Sequence, residues 1–447
     1  MTDHGKPSSP QYNPGKGEGS PVGIALLGHG TVGAQVLRLM QEYSDELEHR
    51  IGGPLEVKGV AVRNMEKHRD SVPAELLTDD AFGLINRDDV DIVVEVIGGI
   101  DYPRELVLAA LKAGKSVVTA NKALVAAHYQ ELGDASDESN VDLYFEAAVA
   151  AAIPVVGPLR RSLAGDRIKS VMGIVNGTTN FILDGMDSTG ADYDEMLAEA
   201  TRLGYAEADP TADVEGYDAA SKAAILASIA FHTPVYASDV HREGITNISP
   251  EDIKAAQAAG YVIKLLAICE RFNNEEGQEV VAARVHPTLV PRSHPLASVS
   301  KSFNAIFVEA EAAGRLMFYG NGAGGAPTAS AVLGDIVGAA RNKVHGGRAP
   351  GQSTYANLPI ADFGEVYTRY HVDMSVEDRI GVLAEIAKIF TNHGISLRTV
   401  RQHQGEDHAR LILVTHTARE KDLEDVVEEL KQLEAVRGIE SVIRLEE

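Results

Sequence analysis

The chain has 447 residues, 44% of them hydrophobic, enough for about two to four domains with real cores. Acids outnumber bases by 65 to 41, a formal net charge of -24, which repels phosphate backbones and anionic lipid and argues against nucleic-acid or membrane partners. The single cysteine, Cys269, rules out an intrachain disulfide and a Cys-based zinc site and suits a reducing, cytoplasmic compartment.

Residues 1–20, "MTDHGKPSSPQYNPGKGEGS", are polar and rich in Pro, Gly and Ser. They lack an apolar h-region, so they read as a disordered tail and not as a signal peptide. From Val22 the pattern changes. "VGIALLG" is a continuous apolar run ending in glycine, as a buried parallel strand should be. A helical stretch follows, then "LEVKGVAV", "DVDIVVEVIGG" and "SVVTAN" alternate with further helical stretches. This rhythm predicts a Rossmann-like, doubly wound parallel sheet over residues 21–157.

Residues 158–319 predict a second α/β domain with a mixed sheet. "IKSVMGIVNG" is strand-like, helices are expected from Thr178 to about Phe231, and "YVIKLLAICERF" is ambiguous between helix and strand. The glycine-rich segment at about 320–345 is expected to pack back onto the first domain. Residues 346–365 read as a linker. Residues 366–447 spell strand–helix–strand–strand–helix–strand, the order of a ferredoxin-like domain.

"GHGTVG" sets Gly28, Gly30 and Gly33 in G-x-G-x-x-G spacing between a predicted strand and a predicted helix. Glycine permits the tight turn and lets backbone N–H groups reach a pyrophosphate at the helix N-terminus. The second strand should end in an acid if a ribose 2′-hydroxyl is held. Here it is followed by Arg63, with Lys67 near. A cation there suits the 2′-phosphate of NADP; an ordinary surface arginine, compatible with NAD, is the competing reading. Lys122 stands just past the strand "SVVTAN", at the carboxyl end of the sheet where ligands of such sheets bind.

"GYAEADPTADVEGYDAASKAAIL" crowds acids before a lone lysine. Asp218 and Lys222 share one face of a helix. A surface ion pair is the plain reading. Against it, the helix is Ala, Ile, Leu and Ser almost all round, which marks a buried helix. A buried Lys–Asp pair is costly unless function retains it, and such a lysine suits general acid–base work. Cys269 lies in an apolar run and reads as an inert core thiol, against a thioester mechanism.

"VNGTTNFIL", "ATRLGYAEADPTADVEGYDAASKAA" and "VVTANKALV" together resemble the homoserine dehydrogenase family. The tail "VEDRIGVLAEIAKIFTNHGISL" resembles an ACT domain, a small amino-acid-sensing module. The resemblance implies reversible, NAD(P)H-dependent reduction of L-aspartate 4-semialdehyde to L-homoserine in threonine, methionine and isoleucine biosynthesis. It implies that Lys222 gives the proton to the nascent alkoxide, with Asp218 supporting it and orienting the substrate. Glu207 would hold the substrate amino group, Asp213 would line the pocket, and Lys122 would lie close to cofactor and substrate. Thr31 and Val32 would touch the cofactor phosphates, with Gly204 and Gly325 passing near.

The resemblance further implies a monovalent cation, Na+, at "EAAVAAAIP": Glu146 with Val149, Ala151 and Ile153. Relatives often carry glycine where Ala151 and Ala152 stand, so a positive φ there would strain alanine. L-Threonine is the implied effector, with Gly381 at the turn where ACT ligands meet backbone. Homodimers through the middle sheet, or homotetramers, are implied by the same resemblance. Rival readings are another ACT-bearing NAD(P)-dependent dehydrogenase, an aspartate-semialdehyde dehydrogenase, and a non-catalytic amino-acid sensor. The first usually places its glycine motif mid-chain and uses a His–carboxylate pair. The second needs a catalytic cysteine. The third would not be expected to keep Lys122, Asp218 and Lys222 intact.

Overall fold

A computed structural model describes residues 14–404 and 409–446, with the side chain of residue 404 left aside. The chain divides into two compact units. One comprises Met1–Ile168, Ala224–Ala237 and Ala310–Asn357; the other comprises Lys169–Ala223, Ser238–Glu309 and Leu358–Glu447.

In the first unit, strands β1 (Val22–Leu27), β2 (Leu55–Ala61), β3 (Leu77–Thr78), β4 (Ile92–Glu95), β5 (Ser116–Thr119) and β6 (Leu143–Tyr144) form one sheet in the order β3-β2-β1-β4-β5-β6. All pairings are parallel. This is the doubly wound dinucleotide-binding order, whose topological switch lies between β1 and β4. β1, β4 and β5 are buried along their whole length, which explains their unbroken apolar runs. Val36, Leu37 and Met40 of helix α1 (Thr31–Glu42) share a core with Val332, Leu333 and Ile336 of helix Gly325–His345. The glycine-rich segment therefore completes this unit.

Residues 1–13 of the expected disordered tail lie outside the described residues. Residues 14–20 differ from that expectation. The backbone N–H groups of Lys16 and Gly17 donate to the carbonyls of Lys343 and Val344, and Lys16 Nζ meets Asp91 at 2.7 Å. Three glycines with positive φ, Gly15, Gly17 and Gly19, let the chain make these turns.

In the second unit the ambiguous apolar segment is a strand, Tyr261–Asn273, paired antiparallel along its whole length with Glu279–Pro291. Its run of eight buried residues from Val262 has no period-2 signal because both faces are covered. Strand Ile168–Ile174 flanks it. The C-terminal segment has the expected order: Tyr370–Val376, helix Val382–Asn392, Leu397–Gln404, Ala409–Thr415, helix Glu420–Gln432 and Val436–Leu445. One face of its antiparallel sheet packs on the two helices through Val372, Met374, Leu411, Ile386, Phe390, Val426 and Leu430.

The C-terminal segment does not stand apart from the middle one. Its last strand pairs parallel with Glu279–Pro291, Thr288 against Arg444 and Leu289 against Leu445. Beside this junction Arg284, buried with 1% side-chain exposure, meets Glu270 at 2.5 Å and Glu446 at 3.2 Å. No described helix is long and apolar enough to cross a membrane.

Candidate active site

The glycine loop lies at the carboxyl end of β1. Gly28 has φ +100°, and a Cβ there would come within 2.9 Å of the Val96 carbonyl. A Cβ on Gly33 would run into the Gly28 carbonyl. Both positions therefore require glycine. A Cβ on Gly30 would meet nothing within 4 Å, so Gly30 leaves open space at the N-terminus of α1. Thr31 and Val32 form the first turn of that helix, and Gly325 packs against it: a Cβ there would lie 2.9 Å from Thr31 Cγ2. A backbone cradle at a helix N-terminus with free space in front fits a dinucleotide pyrophosphate.

Around this loop, Arg63 is exposed just past β2. Lys122 is exposed at the start of helix Lys122–Glu138, whose cap Asn121 accepts from the Leu124 N–H and donates to the Gly99 carbonyl. Beside it the buried Glu95 accepts from Thr119 Oγ1 at 2.6 Å and from the Ile97 N–H at 2.8 Å. Two features here were not anticipated from sequence. One is Glu95, hidden inside an apolar strand. The other is a close imidazole pair: His29, inside the glycine motif, has Nδ1 3.3 Å from His68 Nδ1. Burial first, and His68 second, hold the His29 pKa below the ordinary imidazole range.

Glu146, Ala151 and Ile153 flank a four-residue helix, Ala147–Ala150, that contains Val149. The Glu146 carboxylate accepts from three backbone N–H groups, of Val155 (2.6 Å), Val156 (2.8 Å) and Gly157 (2.7 Å). Ala151 has φ +47°, so the strain expected for alanine in this loop is present. Among the described residues no group of three or more His, Cys, Asp or Glu side chains could hold a metal ion. A cation here would therefore rest on carbonyl oxygens, as suits a hard ion.

The second unit carries the carboxylate–lysine cluster. Helix Tyr217–Phe231 buries Asp218 and Lys222, 5% and 8% exposed, which excludes the surface-pair reading. Lys222 Nζ donates to Asp218 Oδ2 at 2.7 Å and to the Val175 carbonyl at 2.6 Å. Asp213, half-buried on the short helix Thr211–Val214, accepts at Oδ1 from Asn176 Nδ2 at 2.7 Å. The same amide donates to Asp218 Oδ2 at 2.8 Å. Thr178 ties the preceding loop in, donating to the Tyr205 carbonyl at 2.8 Å. Glu207 is exposed on that loop, and Gly204, with φ +79°, closes helix Tyr193–Arg202. The structure thus joins Asp218 and Lys222 directly, and Asp213 to them through the Asn176 amide. It adds Asn176 and the Val175 carbonyl, which residue-by-residue reading of the acidic stretch missed. Their sequence signal is only an asparagine just before a helix, which marks a cap and nothing more.

Gly381, with φ +97°, starts helix Val382–Asn392 and lines a cavity of 440 Å³ with Glu377, Arg379, Leu383, Ala387 and Gln402. Arg379 is held by Glu377 at 2.9 Å and Glu385 at 2.8 Å.

A dinucleotide-binding sheet and a buried lysine–carboxylate cluster, in a chain that also carries a ferredoxin-like domain, define a nicotinamide-dependent dehydrogenase. Family models agree along the chain: homoserine dehydrogenase, NAD binding domain, over residues 28–146; homoserine dehydrogenase over 154–337; and ACT domain over 370–435. The chain is 77% identical to homoserine dehydrogenase of Corynebacterium glutamicum, covering 98% of this chain and 99% of that one. It is 57% identical to the Mycobacterium tuberculosis enzyme, with 96% and 99% covered. A solved homoserine dehydrogenase from Thiobacillus denitrificans superposes with a TM-score of 0.90 at 40% identity, covering 96% of this chain and 99% of that one. A hyperthermophilic archaeal homoserine dehydrogenase solved in complex with NADPH matches 72% of this chain and 98% of its own, with a TM-score of 0.61 at 30% identity. The chain belongs to the homoserine dehydrogenase family, oxidoreductases that use a nicotinamide cofactor on a CH–OH group.

Proposed function

We propose that Lys222 is the proton donor in the reduction of L-aspartate 4-semialdehyde to L-homoserine and the proton acceptor in the reverse direction. The observation that carries this is the buried Asp218–Lys222 pair at 2.7 Å. A bound nicotinamide supplies the hydride for the aldehyde carbon, and the carbonyl oxygen becomes an alkoxide. The Lys222 ammonium, oriented by Asp218 and the Val175 carbonyl, gives that oxygen a proton and is left as the neutral amine. In homoserine oxidation the neutral amine takes the hydroxyl proton, so alkaline pH favours that direction. Glu207 and Asp213 bind the substrate ammonium, and Lys122 lies near cofactor and substrate.

Gly28, Gly30, Thr31, Val32, Gly33 and Gly325 receive the cofactor phosphates, with Gly204 passing near, and Arg63 favours NADP over NAD. The carbonyls of Val149, Ala151 and Ile153, with Glu146, hold a sodium ion that braces the loop. L-Threonine binds at the Gly381 turn and inhibits. The enzyme works in the cytoplasm as a homodimer or homotetramer.

Homoserine oxidation with each cofactor tests the core of this reading. Lys222→Ala is expected to lose about 10²–10⁴-fold in kcat. Full activity in that variant overturns the assignment. Arg63→Ser should raise KM for NADP far more than for NAD; an equal change would remove Arg63 from cofactor choice. Threonine inhibition that survives Gly381→Val would move the effector elsewhere.

A further inference from the structure

Asn176 does two jobs with one amide, and the two fix each other. It stands between strand Ile168–Ile174 and helix Gly177–Thr189 and is 5% exposed. Its Oδ1 caps the helix, accepting from the Thr179 N–H at 2.9 Å and from Thr179 Oγ1 at 3.1 Å. With the oxygen committed there, Nδ2 must point the other way. A flipped amide would set its oxygen against two carboxylates and its NH2 against a backbone donor, so the network settles the orientation. Nδ2 has two hydrogens, and it meets two acceptors: Asp213 Oδ1 at 2.7 Å and Asp218 Oδ2 at 2.8 Å. The Asp218 oxygen it meets also accepts from Lys222.

We infer that Asn176 is a positioning residue that links Asp213 to the Asp218–Lys222 pair, so that substrate-binding carboxylate and proton-transfer lysine are held by one side chain. The inference rests on the roles proposed above for Asp213 and Lys222. Chemistry explains why an amide stands here. Two carboxylates held near one point repel. A second lysine or an arginine would relieve this, but its charge would compete with the substrate ammonium and oppose the protonation of Lys222. A neutral donor with two hydrogens relieves the crowding without adding charge. The adjacent Val175 carbonyl then receives Lys222, so two consecutive residues at one strand end address the lysine and both carboxylates.

The test separates capping from positioning. Asn176→Asp keeps an oxygen for the Thr179 N–H, and Asp caps as well as Asn, but it replaces the donor with an acceptor. In the full-length enzyme, Asn176→Ser should move the thermal midpoint by no more than about 4 °C, while Asn176→Asp, which crowds a third carboxylate against Asp213 and Asp218, should lower it further. kcat/KM for homoserine should fall at least 10-fold as an order of magnitude, and the rise of kcat with pH should move to higher pH, because an added carboxylate holds the proton on Lys222. Asn176→Asp/Asp213→Asn exchanges donor and acceptor and should restore part of the loss and return the pH profile. Asn176→Ser also caps, but its short hydroxyl cannot reach both carboxylates. It should lower kcat/KM without an alkaline shift, and it serves as the test if Asn176→Asp does not fold.

Wild-type kcat, KM and pH profile in Asn176→Asp or, should that fail to fold, in Asn176→Ser would reduce Asn176 to a helix cap and overturn the inference. Lys222→Ala, measured alongside, separates the two levels. Inactive Lys222→Ala with wild-type Asn176 variants sinks the positioning role alone, whereas active Lys222→Ala sinks the proposed proton transfer.

Discussion

At the residue scale, the site depends on backbone conformations that sequence flags only in part. Gly28 and Gly33 were legible because a known spacing demands glycine. Ala151 was legible as a doubt, since an alanine stood where the loop called for positive φ, and its φ of +47° realises the strain. Such a residue costs about 1–3 kcal/mol, while deleting its buried methyl forfeits about 0.8 kcal/mol. Ala151→Gly should therefore raise stability by about 1 kcal/mol, seen as a higher urea midpoint at unchanged slope. If its carbonyl helps hold sodium, the stabilising effect of NaCl over choline chloride at equal ionic strength should persist in this variant. A lower urea midpoint would mean that the methyl's packing outweighs the strain.

At the scale of elements, most of both units was legible because apolar runs and glycine turns are local. The strand Tyr261–Asn273 was not, because a continuous apolar run has no period. Nor was the pairing of the last strand with Glu279–Pro291, a contact between segments about 150 residues apart. Asn176 shows the same limit at the site: its cap is local and its grip on Asp213 and Asp218 is not. The pairing has a practical consequence. Arg284 is buried with Glu270 and Glu446 as its counter-ions, so the chain's end neutralises a charge inside the mixed sheet. Glu446→Ala leaves that guanidinium with one fewer partner and should cost about 1–3 kcal/mol. Glu446→Gln, which keeps an acceptor, should cost less. Equal midpoints for Glu446→Ala and the parent would show that Glu270 alone suffices. For the same reason, removing residues 366–447 would expose a sheet edge, and point variants at the effector cavity are the cleaner test of regulation.

At the scale of the whole molecule, the response to acid follows from where the histidines sit. His286 on Glu279–Pro291 and His371 on Tyr370–Val376 both belong to the second unit and are 0% and 3% exposed. Burial is the main cause that lowers both pKa values, His286 well below the usual range; Arg444 and Arg284 lower it further, while nearby Asp373 opposes the shift at His371. In the unfolded chain each titrates near pH 6.5. As pH falls through that value the unfolded state binds protons that the folded state refuses, so stability declines. The slope is at most about 1.4 kcal/mol per pH unit for each histidine. The carboxylate contribution falls in a different window. Burial pushes Glu243 upward, but His241 and Arg444 overcome this and hold it down to about 2, so its share is lost only as pH drops from about 4.5 toward 2. The two imidazoles therefore contribute a loss beginning near pH 6.5 in urea unfolding between pH 7.5 and 5, whereas Asp335, pushed up to about 8 by burial and by Glu146, takes up a proton in the folded state and opposes that loss over the same range. His286→Asn and His371→Asn should each lower stability at pH 7.5 yet flatten this decline, and the double variant should flatten it most. A decline of unchanged slope in the double variant would place its cause outside these two imidazoles.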